Sequence, residues 1–245
     1  MQIQELLYTQ GFGTRRICQG LVEQGHVRVL KGDTFIEAND AWQDIEIYEG
    51  MPFEVMGKPW QYWTQAYLLL HKPKGTECSQ KPSSWPSIYT LLPAPLRQRP
   101  QKSAIQGVQA VGRLDQDTTG MLLLTDDGAF IHRLSSPKHH VPKVYDITTE
   151  QVIKKGDLDP LLSGVVLNDS PKPVRAEHIE QTSEYTLKMT LTQGKYHQVK
   201  RMMASVGHLV VALHRSQIGF LKLPLELGAG EWRYLTPDEV LKLKG

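Results

Sequence analysis

Cysteine is scarce in this chain. Only Cys18 and Cys78 occur in 245 residues, too few and too far apart for a disulfide framework or a thiolate metal site. The nine histidines are not joined by cysteine at ligand spacing, so no zinc site is expected. No window approaches the roughly 18 consecutive apolar residues of a membrane span. The opening Met1-Gln2-Ile3-Gln4-Glu5 lacks the basic and apolar regions of an export signal. These absences predict a soluble, cytoplasmic chain with reduced thiols and no membrane partner. No internal repeat of fixed period appears.

What is present is enough for a packed core. Hydrophobic residues make up 40% and charged residues 22%, the balance of a globular protein and not of a disordered one. The length predicts one moderate domain plus a small one. The net charge of +2 conceals an asymmetry. Residues 1–31 carry four basic and two acidic groups, residues 32–60 one basic and seven acidic, and residues 61–245 twenty-three basic and seventeen acidic. The positive field belongs mainly to the larger part.

Near the N-terminus, residues 5–8 and 15–23 have helical apolar spacing, with Thr14 as the expected N-cap of the second helix. Residues 25–30 then alternate as a strand does. A Gly-Lys-Pro interruption at Gly57-Lys58-Pro59 marks the expected boundary, giving domains 1–58 and 59–245. Beyond it, residues 67–71, 121–125, 144–149, 185–191 and 209–213 read as strands, and residues 129–134 and 198–205 as helices. The proline-rich residues 81–109 read as an excursion, either facing a substrate or lying as a surface insertion.

Two segments carry chemistry. In Val111-Gly112-Arg113-Leu114-Asp115-Gln116-Asp117-Thr118-Thr119-Gly120 a carboxylate stands beside an arginine between two glycines, which permit conformations or close approaches that a side chain would forbid. Taken alone, the segment also reads as a polar turn between strands. The second is Gly194-Lys195-Tyr196-His197-Gln198-Val199-Lys200-Arg201-Met202. From residue 192 to 222 there are five Lys or Arg and no acidic residue. With the interleaved Tyr and His, this fits a nucleic-acid surface better than an ordinary exposed helix.

Together these segments resemble the signatures of the pseudouridine synthases, in particular the RsuA branch that acts on small-subunit rRNA. His71-Lys72-Pro73-Lys74-Gly75, Ser136-Pro137-Lys138-His139-His140, Lys143-Val144-Tyr145, Leu213-His214-Arg215 and Ile218-Gly219 extend the resemblance over nearly the whole chain. It implies an α+β fold: a small N-terminal S4-like RNA-binding domain, then a larger catalytic domain on a mixed, mainly antiparallel β-sheet with flanking helices. The opening Gln2-Ile3-Gln4-Glu5 and the acidic stretch of residues 33–54 depart from the usual S4 pattern.

The resemblance also implies roles, in a reaction that a carboxylate carries out with no metal or other cofactor. Asp115 is the expected catalytic carboxylate, acting as nucleophile or as the anion that stabilises the opened sugar. Lys200 is its expected counter-charge, and removing it from a buried pair would cost on the order of 3 to 5 kcal/mol. Tyr145 is expected to stack on the base and take the C5 proton. Arg113 would fill the gap left by a flipped uridine. Lys72, Lys138, His139, His140, Lys195, Arg201, His214 and Arg215 would line the RNA path. Arg15, Arg16, Arg28 and Lys31 would contact phosphates from the small domain. The expected partner is 16S rRNA or a ribosomal assembly intermediate, bound by a monomer, with 23S rRNA as the alternative. Two other readings stand beside it. One is a magnesium-dependent phosphatase of the Asp-x-Asp-x-Thr kind, to which Asp115-Gln116-Asp117-Thr118 also corresponds. The other is a ribosome-associated RNA-binding protein without catalysis.

Overall fold

A computed structural model describes residues 1–101, 106–168 and 170–245. In chain order the elements are α1 (Ile3–Thr9), α2 (Arg15–Glu23), β1 (Val27–Lys31), β2 (Thr34–Glu37), β3 (Pro52–Val55), β4 (Lys58–Gln61), β5 (Tyr67–Lys72), α3 (Ala94–Gln98), β6 (Gln109–Ala110) and β7 (Thr119–Thr125). There follow α4 (Gly128–Ser135), β8 (Lys143–Thr149), α5 (Asp159–Ser163), β9 (Val165–Leu167), β10 (Ser170–Val174), β11 (His178–Gln181), β12 (Thr186–Leu191), α6 (Gln198–Ser205), β13 (Val210–Ile218), β14 (Leu221–Lys222), β15 (Trp232–Tyr234) and α7 (Pro237–Lys244). They form two compact units. One comprises Met1–Tyr67, Leu92–Gln109 and Leu124–Asp127, the other Leu68–Leu91, Ala110–Leu123 and Gly128–Gly245.

In the first unit, α1 and α2 accompany a sheet of order β2-β1-β3-β4. Thr14 caps α2 as expected, its side chain accepting from the Ile17 amide at 3.4 Å. Cys18 and Val22, four residues apart, are the buried positions of that helix. In β1, Val27 and Val29 point into the core while Arg28 between them is exposed. Met56 and Gly57 both have positive φ, 51° and 73°, as a two-residue turn between β3 and β4 requires. The interruption read as a domain boundary is thus a hairpin turn within one sheet, and the unit runs on to Tyr67.

Of residues 81–109, residues 102–105 lie outside the described ones. Residues 81–86 are exposed, while further along Ile88, Leu92, Leu96 and Val108 are all within the core. Arg99, 3% exposed, is held by Asp126 at 2.5 Å, Gln10 at 2.6 Å and the carbonyls of Trp63 and Thr64. A buried guanidinium satisfied in this way ties the end of α3 into the first unit.

The second unit is built on a sheet of order β11-β12-β8-β13-β7-β5-β15. Its sheet is mixed: β13 runs parallel to β7, while β11–β12, β12–β8, β8–β13 and β5–β15 pair antiparallel. β7 contains Met121 to Leu124, all 0% exposed, the continuous apolar run of a strand covered on both faces. β12 alternates instead, burying Leu187, Met189 and Leu191. Opposite it, Tyr145, Ile147 and Thr149 of β8 are buried. In α6, Val199, Met202 and Met203 join this core at helical spacing, which turns Lys200 to another face.

Candidate active site

The Asp115 loop joins the sheet through two glycines. Gly112 has φ 71°, in the left-handed region that side chains disfavour. Gly120 has φ 106°, and a Cβ there would lie 2.3 Å from the Arg215 carbonyl oxygen, so β7 can meet β13 only because residue 120 has no side chain. Both glycines have the structural reason expected of them. The loop is then held by main-chain bonds: Val111 N–H to the Leu123 carbonyl at 2.8 Å and Thr118 N–H to the Asp115 carbonyl at 3.1 Å.

Lys72 fastens the same loop from below. Its ammonium donates to the carbonyls of Thr118 at 2.9 Å, Pro73 at 3.1 Å and Gln116 at 3.3 Å, and the residue is 0% exposed. Burial holds its pKa below the usual lysine range despite the nearby Cys78, Asp117 and Asp115. This corrects the expectation that Lys72 contacts phosphate: its three protons are already used, and it has no path to solvent.

Two basic side chains at the start of α6, one from its N-cap, face the loop. His197 Nε2 lies 3.3 Å from Asp115 Oδ1, and Lys200 Nζ lies 3.7 Å from Asp115 Oδ2. The closer partner of Lys200 is Asp117, at 2.6 and 2.7 Å from its two oxygens. Burial raises the Asp117 pKa, but the bond and charge of Lys200 outweigh that and leave it below the usual carboxylate range. Lys200 is therefore shared between two carboxylates and is not dedicated to one. The side chains of Asp115 and Lys200 remain 29% and 25% exposed, so the cost expected for a fully buried pair is an upper limit.

Asp115 stands where two hollows meet. One, of about 140 Å³, is lined by Arg113, Asp115, Lys143, Tyr145, Lys195, His197 and Arg215 among others. By the same measure a single water needs only about 10 to 15 Å³. The other hollow has Arg113, Asp115, Asp117, Tyr196, His197 and Lys200 on its walls. The exposed Tyr196 ring stacks on His197, with centroids 3.8 Å apart and planes at 17°. Tyr145 reaches the first hollow from β8, directly across the ladder from Arg215 of β13. Residues opposite each other in a ladder share a face of the sheet.

Not every expected residue joins this site. Arg215 lines the cavity but is 3% exposed and donates from Nε to the Met121 carbonyl at 2.8 Å, so it lies within the protein and not along an RNA path. His214 meets Thr119 Oγ1 at 2.9 Å and lines a separate hollow with Asp117. Burial, then the His71 charge, lower its pKa. Lys138, His139 and His140 are exposed on a turn after α4 and line neither hollow at Asp115. Arg201 donates to the Tyr196 carbonyl at 3.2 Å.

In the first unit, Arg15 is engaged by Glu5 at 3.0 and 3.1 Å and lies over the Tyr8 ring. Arg28 meets Glu54 at 2.8 Å, while Arg16 and Lys31 are exposed. His197 and Lys143 were not assigned roles from sequence, although both stand inside the motifs that drew attention. Among the described residues, no group of three or more His, Cys, Asp or Glu is placed to hold a metal ion, and no helix is long and apolar enough to cross a membrane.

Residues 66–205 match the RNA pseudouridylate synthase family. Ribosomal small subunit pseudouridine synthase A of Haemophilus influenzae is 36% identical over 235 residues, covering 96% of this chain and 94% of that protein. The protein of the same name from Escherichia coli K12 is 36% identical over 193 residues, 79% of this chain and 78% of its own length. A crystal structure described as pseudouridylate synthase superposes with a TM-score of 0.67 at 30% identity, covering 99% of both chains.

Proposed function

The chain belongs to the RNA pseudouridylate synthase family and is therefore an isomerase, and from that premise we propose that it converts one uridine of 16S rRNA to pseudouridine with Asp115 as the catalytic carboxylate. The observation that carries this reading is the single cavity shared by Asp115 and Tyr145, with His197 and Lys200 within 4 Å of the carboxylate. The rRNA of the small subunit is favoured because the relatives that cover most of the chain carry that substrate in their names. The uridine of 23S rRNA is the alternative.

The reaction breaks the bond from N1 to C1′, turns the base and rejoins it through C5, with no redox change. A carboxylate next to C1′ either bonds to that carbon or stabilises its positive charge, and both need an ionised Asp115. His197 and Lys200 stand close enough to pair with that carboxylate when it is charged. The hydroxyl-bearing ring of Tyr145 offers the detached base an apolar face and a group that can accept the C5 proton. A uridine stacked in RNA cannot reach such a cavity, so it must be flipped out at a cost of about a few kcal/mol. Arg113, exposed at the rim, has the planar cation suited to filling the vacated stack. The two N-terminal helices and the sheet β2-β1-β3-β4, which continues past residue 58, serve in this reading as an S4-like RNA-binding module, with Arg16 and Lys31 as their open phosphate contacts.

The test is release of tritium from rRNA labelled at uridine C5, since only re-attachment at that carbon expels its hydrogen. The purified chain should release one equivalent from 16S rRNA and none from 23S rRNA. Release from 23S rRNA alone would transfer the reading to the alternative substrate, and release from neither would end it.

A further inference from the structure

Asp115 accounts for the sugar side of the cavity but not for the opposite charge problem. When N1–C1′ breaks, its electron pair stays on the base, which becomes a uracil anion with charge spread over N1, O2 and O4. C1′ is left electron-poor and is met by the Asp115 carboxylate. The anion then turns, a C5=C6 electron pair forms the C5–C1′ bond, C5 loses its proton and N1 gains one. For the duration of the turn a full negative charge sits in a half-enclosed cavity beside a carboxylate loop. Unless cations meet it, that placement is costly.

Two cations line the same cavity and have no carboxylate partner among the described residues. Arg215 is 3% exposed; its Nε is bonded to Met121, but Nη2 is buried and meets no hydrogen-bond partner among the described residues. Leaving a charged donor unpaired is expensive and calls for a ligand that comes and goes. Lys143, two residues before Tyr145 on β8 and on the same face, is half-buried, and its ammonium donates to the Val141 carbonyl at 3.0 Å. Burial, then the charge of Arg215, bring its pKa down to about 8. Resting on the function proposed above, we infer that Lys143 and Arg215 bind the carbonyl oxygens of the detached uracil anion and stabilise it while it turns. A backbone phosphate is a poor alternative ligand: it carries a sugar on each side and would have to bring them into the interior to reach a guanidinium so deeply covered.

The measurement compares the full-length wild type with Lys143→Met and Lys143→Arg on a 16S rRNA fragment under single turnover. Each is assayed with uridine and with 5-fluorouridine at the target. Fluorine makes the base more acidic, so it departs with less help, and its 19F signal reports loss of the N1 linkage. Lys143→Met should slow the uridine substrate about 100-fold, as loss of one preorganised donor does, but the fluorinated substrate less than about 10-fold. Fragment affinity should stay within about twofold, and Lys143→Arg should recover most of the rate. Equal slowing of the two substrates, or a loss confined to affinity, would overturn the inference while leaving the proposed function intact. A wild type that isomerises neither substrate defeats the proposed function itself.

Discussion

The arginines that pin the first unit and the cations around the cavity of the second are used in opposite ways, although the second unit also holds a paired arginine, Arg233 with Glu239. In the first, Arg15 and Arg28 are matched by Glu5 and Glu54, and the buried Arg99 by Asp126. In the second, Lys143 and Arg215 face a cavity with no carboxylate of their own, and Lys200 is spread over two. Paired cations hold a fold in place; underpaired ones store attraction for a ligand. The total charge of a region is therefore a poorer guide to RNA chemistry than the number of its cations left wanting a partner.

The widest break in that contrast would come from removing the shared cation. Lys200→Met takes the cation from Asp117 and leaves Asp115 with His197 as its remaining close partner among the described residues. A rate loss of about 100- to 1000-fold is expected. Asp117→Asn, which frees Lys200 to turn wholly to Asp115, should cost less than about tenfold. If the two variants lose equally in single-turnover assays, the sharing of Lys200 has no catalytic meaning.

Next in size is the response to replacing the buried ammonium under the loop. Lys72→Met removes three hydrogen bonds from the loop, though the Pro73 and Gln116 carbonyls keep the Thr76 hydroxyl and the Gly75 N–H, and it should lower unfolding free energy by roughly 2 to 3 kcal/mol in urea titration. An unchanged midpoint would show that the loop does not depend on this anchor.

A smaller effect should appear with pH. Lys143 is charged below its folded pKa of about 8 and neutral above it. The sign follows: kcat/KM should fall as pH rises through about 8, by up to tenfold per unit for one required proton. The other titratable or charged groups facing the cavity are Arg113, Asp115, Tyr145, Lys195, His197 and Arg215. Lys143→Arg keeps all of these and should abolish the alkaline limb. A limb that survives in that variant belongs to another group.

The smallest change would convert the first unit toward the character of the second. Glu5→Gln with Glu54→Gln releases Arg15 and Arg28, and should tighten rRNA binding roughly two- to threefold at low salt while steepening its salt dependence. No change in filter-binding affinity would remove these arginines from the RNA path.

Much of this organisation was legible before any coordinates. Helices α2 and α6 have the bounds that apolar spacing predicts, Thr14 caps where expected, and Gly112 and Gly120 have the backbone roles assigned to them. What the spacing could not show is partner choice. Asp117 competes for Lys200 across 83 residues of chain, and nothing in either segment ranks it above Asp115. Lys72 was misread because a lysine in a Lys-Pro-Lys-Gly segment looks exposed. A signal was there: it continues the buried strand positions Leu68 and Leu70 at period two. Gly57 was misread because a hairpin turn and a linker use the same residues.

The central claim is that one carboxylate at residue 115 performs the isomerisation on small-subunit rRNA. Pseudouridine mapping of 16S rRNA, from cells whose only copy of this enzyme is either wild type or Asp115→Ala, tests it most directly. The account predicts that one 16S site is modified with the wild type and unmodified with the variant, while the variant protein remains folded and bound to the RNA. Full modification at that site by the Asp115→Ala protein would contradict it.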